Sequence, residues 1–224
     1  MGVIGPGLDY VDKDEGFDFY PPQTIQPFAV IDSLRRLGLA SAAVRVVTLD
    51  ISSRVNAHIA RARREAQRGQ AYTVQLPRDV GRKWNAAAAG YWEHFGDRIG
   101  APAEPLRAPA SAGELTVRAV RIRPEVVLQV VPADLDVIYQ HLDLAPGQRF
   151  DLIVATNMFV YYDSFQQGLA LLNVQHMLRP GGLLLSNDAL PELPFAQMRP
   201  AGETVVTYSE RAGDGDRVVW YRKM

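Results

Sequence analysis

Three features that suit a nucleotide-type ligand each follow an apolar stretch of the chain. Gly5-Pro6-Gly7 comes directly after the first apolar run, and glycine lets a backbone approach a ligand closely. Asp50 ends the second run, and an acid at a strand end can accept both hydroxyls of a ribose. Asp134 ends the third, where it can accept from an adenine amino group while the backbone of Leu135 meets the ring. Because parallel strands end at one edge of a sheet, these features predict one nucleotide site.

Apolar strands and helices alternate along the chain, which predicts a doubly wound, mostly parallel sheet covered on both faces. The C-terminal part of the chain has a different pattern. Two β-branched and aromatic runs flank a glycine- and aspartate-rich turn, which predicts an antiparallel hairpin. The predicted strands are 3–4, 44–50, 126–131, 151–155, 183–186, 203–209 and 217–222, and the predicted helices are 24–37, capped by Thr24, 53–68 and 164–178.

Residues 70–124 lie between the second helix and the third strand and are more than that connection requires. They contain strand-like runs at 71–76 and 115–123, an Ala/Pro-rich linker and an aromatic helix with Trp84, Tyr91, Trp92 and Phe95. We interpret 1–224 as a single domain in which 70–124 is an inserted strand and helix segment.

The composition is that of an ordinary globular chain, with 47% hydrophobic and 22% charged residues and a net charge of −1. The absence of cysteine excludes disulfides, thiolate metal sites and cysteine nucleophiles. No apolar run is long enough to span a bilayer, and the N-terminus does not have the pattern of a signal peptide. We therefore expect a cytoplasmic protein without a membrane partner.

Two motifs give the chain a resemblance to a known family. The run FDLIVATNMFVYYD, at residues 150–163, is followed by HMLRPGGLLLSND, at residues 176–188, and then by the predicted hairpin. This order resembles the second half of class I S-adenosylmethionine-dependent methyltransferases, in which a helix ending in LRPGG leads into the fifth strand. The resemblance covers residues 1–69 and 125–224. It implies a methyltransferase-type Rossmann-like fold with S-adenosyl-L-methionine as the cofactor.

The resemblance also assigns roles to the residues at four strand ends. The glycine loop would contact the methionine part of the cofactor, and the acids after the second and third strands would hold the ribose and the adenine. The segment after the fourth strand would border the sulfonium and the methyl acceptor. The predicted cofactor site consists of Gly5, Pro6, Gly7, Asp50, Ile51, Asp134, Leu135, Asn157, Met158 and Phe159.

The predicted reaction is methyl transfer to an unidentified acceptor. A small molecule or a protein side chain is favoured over nucleic acid, because the net charge gives no attraction to phosphates. A general base is needed only if the acceptor must lose a proton. Tyr161, Tyr162, Asp163 and His94 are the residues to test, and none is assigned. The insertion is expected to act as a cap that selects the acceptor.

Two other functions stay open. A nicotinamide-dependent oxidoreductase predicts G-x-G-x-x-G running straight into a helix, whereas here residues 8–23 intervene. A non-catalytic module that retains the fold is the other alternative. The family usually has an acid two residues before the first glycine, and Val3 stands there.

The first strand would lie in the centre of the sheet although it is very short. We therefore expect that residues from a preceding segment, or from a second copy in a homodimer, lengthen it. Residues 9–23 are expected to form a loop over the amino-acid end of the cofactor. Their acids miss the spacing of a calcium-binding EF-hand loop, so no metal site is predicted.

Overall fold

The computed structural model describes residues 1–9, 21–40, 43–78, 84–107, 116–211 and 213–224. Most of the predicted loop 9–23 and Ala212 of the predicted hairpin turn lie outside these residues. The helices are α1 (Gln26–Arg36), α2 (Ser53–Gln67), α3 (Ala86–His94), α4 (Pro124–Val127) and α5 (Ser164–Met177). The strands are β1 (Gly2–Ile4), β2 (Val46–Asp50), β3 (Tyr72–Arg78), β4 (Gly100–Ala103), β5 (Thr116–Ile122), β6 (Val130–Asp134), β7 (Phe150–Ala155), β8 (Leu178–Ser186), β9 (Met198–Thr207) and β10 (Gly215–Lys223).

The main sheet has seven strands in the order β6-β2-β1-β7-β8-β10-β9. The first five are parallel neighbours, and β10 runs antiparallel between β8 and β9. This arrangement confirms the predicted fold class, a doubly wound sheet that ends in an antiparallel hairpin. The three-residue β1 pairs with β2 on one side and β7 on the other, so it is central.

A second, antiparallel sheet of the order β3-β5-β4 lies in the chain between α2 and α4. With α3 it forms the inserted segment that the fold prediction included. The N-terminal end of α3 contacts the tip of the β9–β10 hairpin, where the Asn85 side chain donates to the Thr207 oxygen at 2.7 Å. At its other end the Arg36 guanidinium, on α1, lies 5.2 Å from the centre of the Tyr91 ring. The insertion therefore spans from the hairpin to α1.

Hydrophobic side chains form two clusters, one on each face of the main sheet. Alternate residues of a strand point to opposite faces, and accordingly Val3 packs in one cluster while Ile4 packs in the other. The first cluster joins the sheet to α5, and the second joins it to α1, α2 and the inserted sheet. Both faces are thus covered, as a parallel sheet requires.

Several sequence predictions were wrong in detail. The fifth strand, predicted at 183–186, begins at Leu178 as β8, so the LRPGG run lies in the strand and not at the end of the helix. The predicted strand 126–131 begins only at Val130, because Pro124 starts a helical turn that contains Val126 and Val127. Thr24 does not cap α1, which starts at Gln26 and has no side-chain cap. The Thr24 N–H instead donates to the Tyr72 hydroxyl, and the Ile25 N–H donates to the Asp9 carboxylate at 2.8 Å.

Gly96 provides a test of how the insertion packs. Its φ is +99°, and an added Cβ would lie 2.5 Å from Val120 Cγ1. Gly69 has a comparable φ of +81° and no neighbour within 4 Å. We expect Gly96→Ala to lower the melting temperature by about 8 °C or more, because backbone strain and overpacking against Val120 both destabilise the folded state. Gly69→Ala should lower the melting temperature by about 3 °C, because only backbone strain is added there. Equal losses in thermal denaturation would contradict this packing.

Candidate functional site

The glycine loop and the two predicted acids meet at one edge of the main sheet. The ends of neighbouring parallel strands are in register, with Ile4 opposite Leu49 and Asp50 opposite Asp134. Ala155 of β7 lies opposite Ser186 of β8 in the same way. The structure therefore brings the ends of five strands together at the carboxyl edge, where open α/β sheets bind ligands.

The two glycines of the loop have positive φ angles, which glycine adopts without strain. Gly5 and Gly7 have φ values of +62° and +65°, and Pro6 between them is buried. The Gly5 N–H donates to the Leu49 oxygen at 2.9 Å. Met158 lies against the loop, since its Cγ is 3.1 Å from where a Cβ on Gly5 would be. This loop and the segment after β7 are thus in direct contact.

Asp50 keeps one carboxylate oxygen available. Its Oδ1 accepts from the Ser52 N–H at 2.8 Å, and Oδ2 makes no hydrogen bond to a described residue. The capping of α2 is done by Ser52, whose hydroxyl accepts from the Val55 N–H. Asp50 is therefore not a helix cap, and it is half-buried beside Ile51, whose side chain is 63% exposed.

Asp134 and Leu135 differ in exposure. The Asp134 side chain is exposed, whereas that of Leu135 is buried in the core. The Leu135 N–H donates to the Asp50 backbone oxygen at 3.3 Å. This N–H already has a partner, so the predicted contact between the Leu135 backbone and an adenine ring would compete with that bond.

The segment after β7 combines an exposed polar residue with a buried aromatic. Asn157 has a φ of +55° and is the single non-glycine residue with positive φ in the described part of the chain. Its side chain is exposed at the edge, while Phe159 is completely buried in the core. Of the three residues predicted here, Asn157 and Met158 can present side chains to a ligand.

Two contacts that hold this segment were missed by the sequence analysis. The Gln26 side chain, in the first turn of α1, donates to the Thr156 hydroxyl at 2.5 Å. The Asn187 Oδ1, directly after β8, accepts from the Asn157 N–H at 3.0 Å. Asn187 lies within the LLLSND motif, but nothing in the spacing of that motif indicated its partner.

The residues considered as bases have other roles or environments. Asp163 caps α5 in a capping box with Gln166. Tyr161 is 80% exposed, whereas burial, with the charges of Asp136 and Asp50, raises the pKa of Tyr162. A tyrosine with a raised pKa is a poor base at neutral pH. Asp188 has one carboxylate oxygen, Oδ2, that is buried and has no partner among the described residues.

The histidines contact residues outside the predicted cofactor site. His94 is exposed at the end of α3 and contacts Asp97. His141 and His176 stack on each other with ring centres 4.8 Å apart, and His58 contacts Tyr72. The described residues contain no group of three or more ligand side chains suited to a metal ion, and none of their helices could cross a membrane.

The ends of the loop that follows the glycines are anchored to the inserted sheet. Asp9 and Gln23 pair as a single antiparallel bridge. The Gln23 side-chain amide donates to the Gln75 oxygen and accepts from the Gln75 N–H, each at 2.7 Å. The Tyr72 hydroxyl accepts from the Thr24 N–H and is hydrogen-bonded to His58 Nε2 at 2.8 Å. This network links β3 to the residues that precede α1.

A cavity of about 700 Å³ opens at the opposite, amino edge of the sheet, between Leu39, Arg45, Leu144 and Arg149. It is separated from the glycine loop and both acids by the length of the strands. A smaller cavity, of about 410 Å³, lies beside the His58–Tyr72 pair.

Comparison with known proteins finds solved structures that are similar to this chain. No protein-family model and no curated protein matches the chain. The glycopeptide N-methyltransferase MtfA complexed with S-adenosyl-L-methionine is 12% identical, with a TM-score of 0.44 over 96% of this chain and 100% of that chain. The N-methyltransferase NodS from Bradyrhizobium japonicum WM9 is 14% identical, with a TM-score of 0.37 over 80% and 73%. TrmN from Thermus thermophilus is 15% identical, with a TM-score of 0.38 over 86% and 40%.

All three TM-scores are below 0.5, so the order and direction of the strands, rather than these likenesses, establish the fold. That topology is the one implied by the resemblance to class I methyltransferases, which is confirmed at the level of the fold. Leu8 and Asp9, which follow Gly7, are not helical, and Asp9 pairs with Gln23. Within the described residues 1–9, the glycine loop therefore does not run straight into a helix, as the nicotinamide-dependent alternative expects.

The His58–Tyr72 contact predicts a pH dependence of stability. Burial lowers the pKa of His58, with Arg61 adding to the effect and Glu65 opposing it. The unfolded chain therefore binds a proton more readily, and stability is lost as pH falls below about 6.5. We expect His58→Gln, which can still hydrogen-bond with Tyr72, to reduce the loss of stability between about pH 7.5 and about pH 5.5 in urea denaturation. His94→Gln is the control. An unchanged pH dependence in His58→Gln would refute the assignment.

Proposed function

We propose that this protein transfers a methyl group from S-adenosyl-L-methionine to a small-molecule or protein acceptor. The observation that carries the proposal is the meeting of a positive-φ glycine loop, two strand-end acids and a strained asparagine at one sheet edge. Strain of this kind is characteristic of functional sites, because surrounding contacts must maintain it.

The residues present fit the adenosyl cofactor. Gly7 leaves backbone space for its amino-acid end, since a Cβ there would meet only the Gly5 oxygen at 4.0 Å, whereas the corresponding position on Gly5 is filled by Met158. Asp50 Oδ2 is available to accept from a ribose hydroxyl, and the exposed Ile51 beside it offers an apolar surface to the adenine ring. The exposed Asp134 carboxylate can accept from the adenine amino group.

The protein's part in the reaction is mainly alignment and exclusion of water. The cofactor supplies a methyl group carried on a positively charged sulfur. That sulfur is the leaving group when the methyl is transferred. Asn157 and Met158, between the glycine loop and the end of β8, border the place where an acceptor would approach. An acceptor that attacks without first losing a proton needs no base there. A hydroxyl would need one, and Asp188, which follows β8 and has a carboxylate oxygen without a hydrogen-bond partner among the described residues, is a candidate, whereas the raised pKa of the half-buried Tyr162 disfavours that residue.

Exposed apolar side chains near this edge support an acceptor with an apolar part. Val160, Tyr161 and Phe165 follow Asn157 and are 63%, 80% and 73% exposed. Soluble surfaces seldom expose several large apolar residues together unless they contact a partner. The insertion would complete this side as a cap, because Asn85 brings α3 to the hairpin tip at the same edge. A nucleic acid is disfavoured by the net charge of −1.

Calorimetric titration with S-adenosylhomocysteine tests the cofactor site. We expect the parent protein to bind with a micromolar dissociation constant. Asp50→Ala should weaken binding about a hundredfold, because a hydrogen bond to a charged group contributes about 2–3 kcal/mol.

Asp97→Ala is the matched control, since it removes an exposed carboxylate that pairs with His94 at the end of α3. Failure of the parent protein to bind would favour a non-catalytic module. Binding that survives Asp50→Ala would refute the assignment of the ribose to this residue.

A further inference from the structure

The backbone of Asn157 is held in a conformation that its own sequence does not favour. A φ of +55° lies in the left-handed region, which costs a non-glycine residue about 1 kcal/mol, although asparagine tolerates it better than most. The residue is exposed, so burial of its side chain does not enforce the conformation. Other contacts must therefore hold it.

Asn187 makes the contact that can do this. Its Oδ1 accepts from the Asn157 N–H at 3.0 Å, and its Nδ2 donates to the Arg217 backbone oxygen at 2.9 Å. Both partners are main-chain groups of fixed polarity, so they also determine which way the amide is oriented. Asn187 thereby ties the strand end of β7 to β10, across β8.

The neighbours of Asn157 are fixed independently. Thr156 is bonded to Gln26, Met158 packs against Gly5, and Phe159 is completely buried. The chain is thus held on both sides of Asn157, and the remaining freedom is the rotation of its own peptide groups. The bond from Asn187 removes that freedom.

We propose that Asn187 is a positioning residue, which keeps Asn157 in the left-handed conformation and so directs its side-chain amide toward the bound adenosyl ligand. This inference rests on the proposed function for the identity of the ligand. The positioning itself does not depend on it. Asn157 is the contacting residue, and Asn187 acts on the ligand through it alone.

Amide hydrogen exchange tests the positioning without any ligand. The Asn157 N–H should be protected in the parent protein and should exchange at least tenfold faster in Asn187→Ala, because its acceptor is removed. Asn187→Asp retains an acceptor oxygen and should restore the protection. Asn85→Ala removes another asparagine that binds main chain and should leave exchange at Asn157 unchanged. Equal protection in Asn187→Ala and the parent would overturn the proposal.

A double-mutant cycle in S-adenosylhomocysteine binding tests the action through Asn157. Asn187→Ala should raise the dissociation constant about tenfold, and Asn187→Asp should raise it much less. Asn157→Gly adopts positive φ freely but lacks the amide, so adding Asn187→Ala to it should change binding less than twofold. Additive losses would show that Asn187 acts by another route and would overturn the proposal.

These outcomes separate the two hypotheses. If the parent protein does not bind S-adenosylhomocysteine but Asn157 exchange depends on Asn187, the proposed function fails and the positioning stands. If the parent protein binds and Asn187→Ala affects neither exchange nor affinity, the proposed function stands and the positioning fails.

Discussion

The pairing of three-residue β1 on both sides is the constraint on which the site depends. Its backbone bonds to β2 and to β7 and places the glycine loop between the other strand ends. In a parallel sheet this is the point where the chain connections diverge to opposite sides, and a crevice forms there. If β1 were at an edge of the sheet, the glycine loop would face at most one of Met158 and the strand that carries Asp50.

The main fold could be predicted because its determinants are local. Each parallel strand contains an apolar run, and the main helices have apolar residues at helical spacing, so the order of elements followed from the sequence. The strand-end acids could be predicted for the same reason, since Asp50 and Asp134 each follow an apolar run directly. The start of β6 was misplaced because valine-rich residues after Pro124 fit a strand as well as a helical turn.

The contacts that shape the site could not be predicted in the same way. Asn187 and Asn157, or Gln26 and Thr156, meet only after the sheet has assembled, and asparagine and glutamine are common in loops for many reasons. The strain at Asn157 depends on those contacts and not on its neighbours in sequence. Residue type therefore indicated where a ligand would lie, whereas the geometry that would hold it is a tertiary property.

The contact between Asn85 and Thr207 has a consequence for the order of folding. These residues are 122 positions apart in the chain, and the second of them belongs to the last hairpin. During synthesis the inserted sheet can pair its own strands early, because β3, β4 and β5 are close in sequence. Helix α3 cannot pack against the β9–β10 hairpin until both of those strands have been synthesised. A chain interrupted before β9 would leave its aromatic side chains without that support, in a form suited to recognition by chaperones.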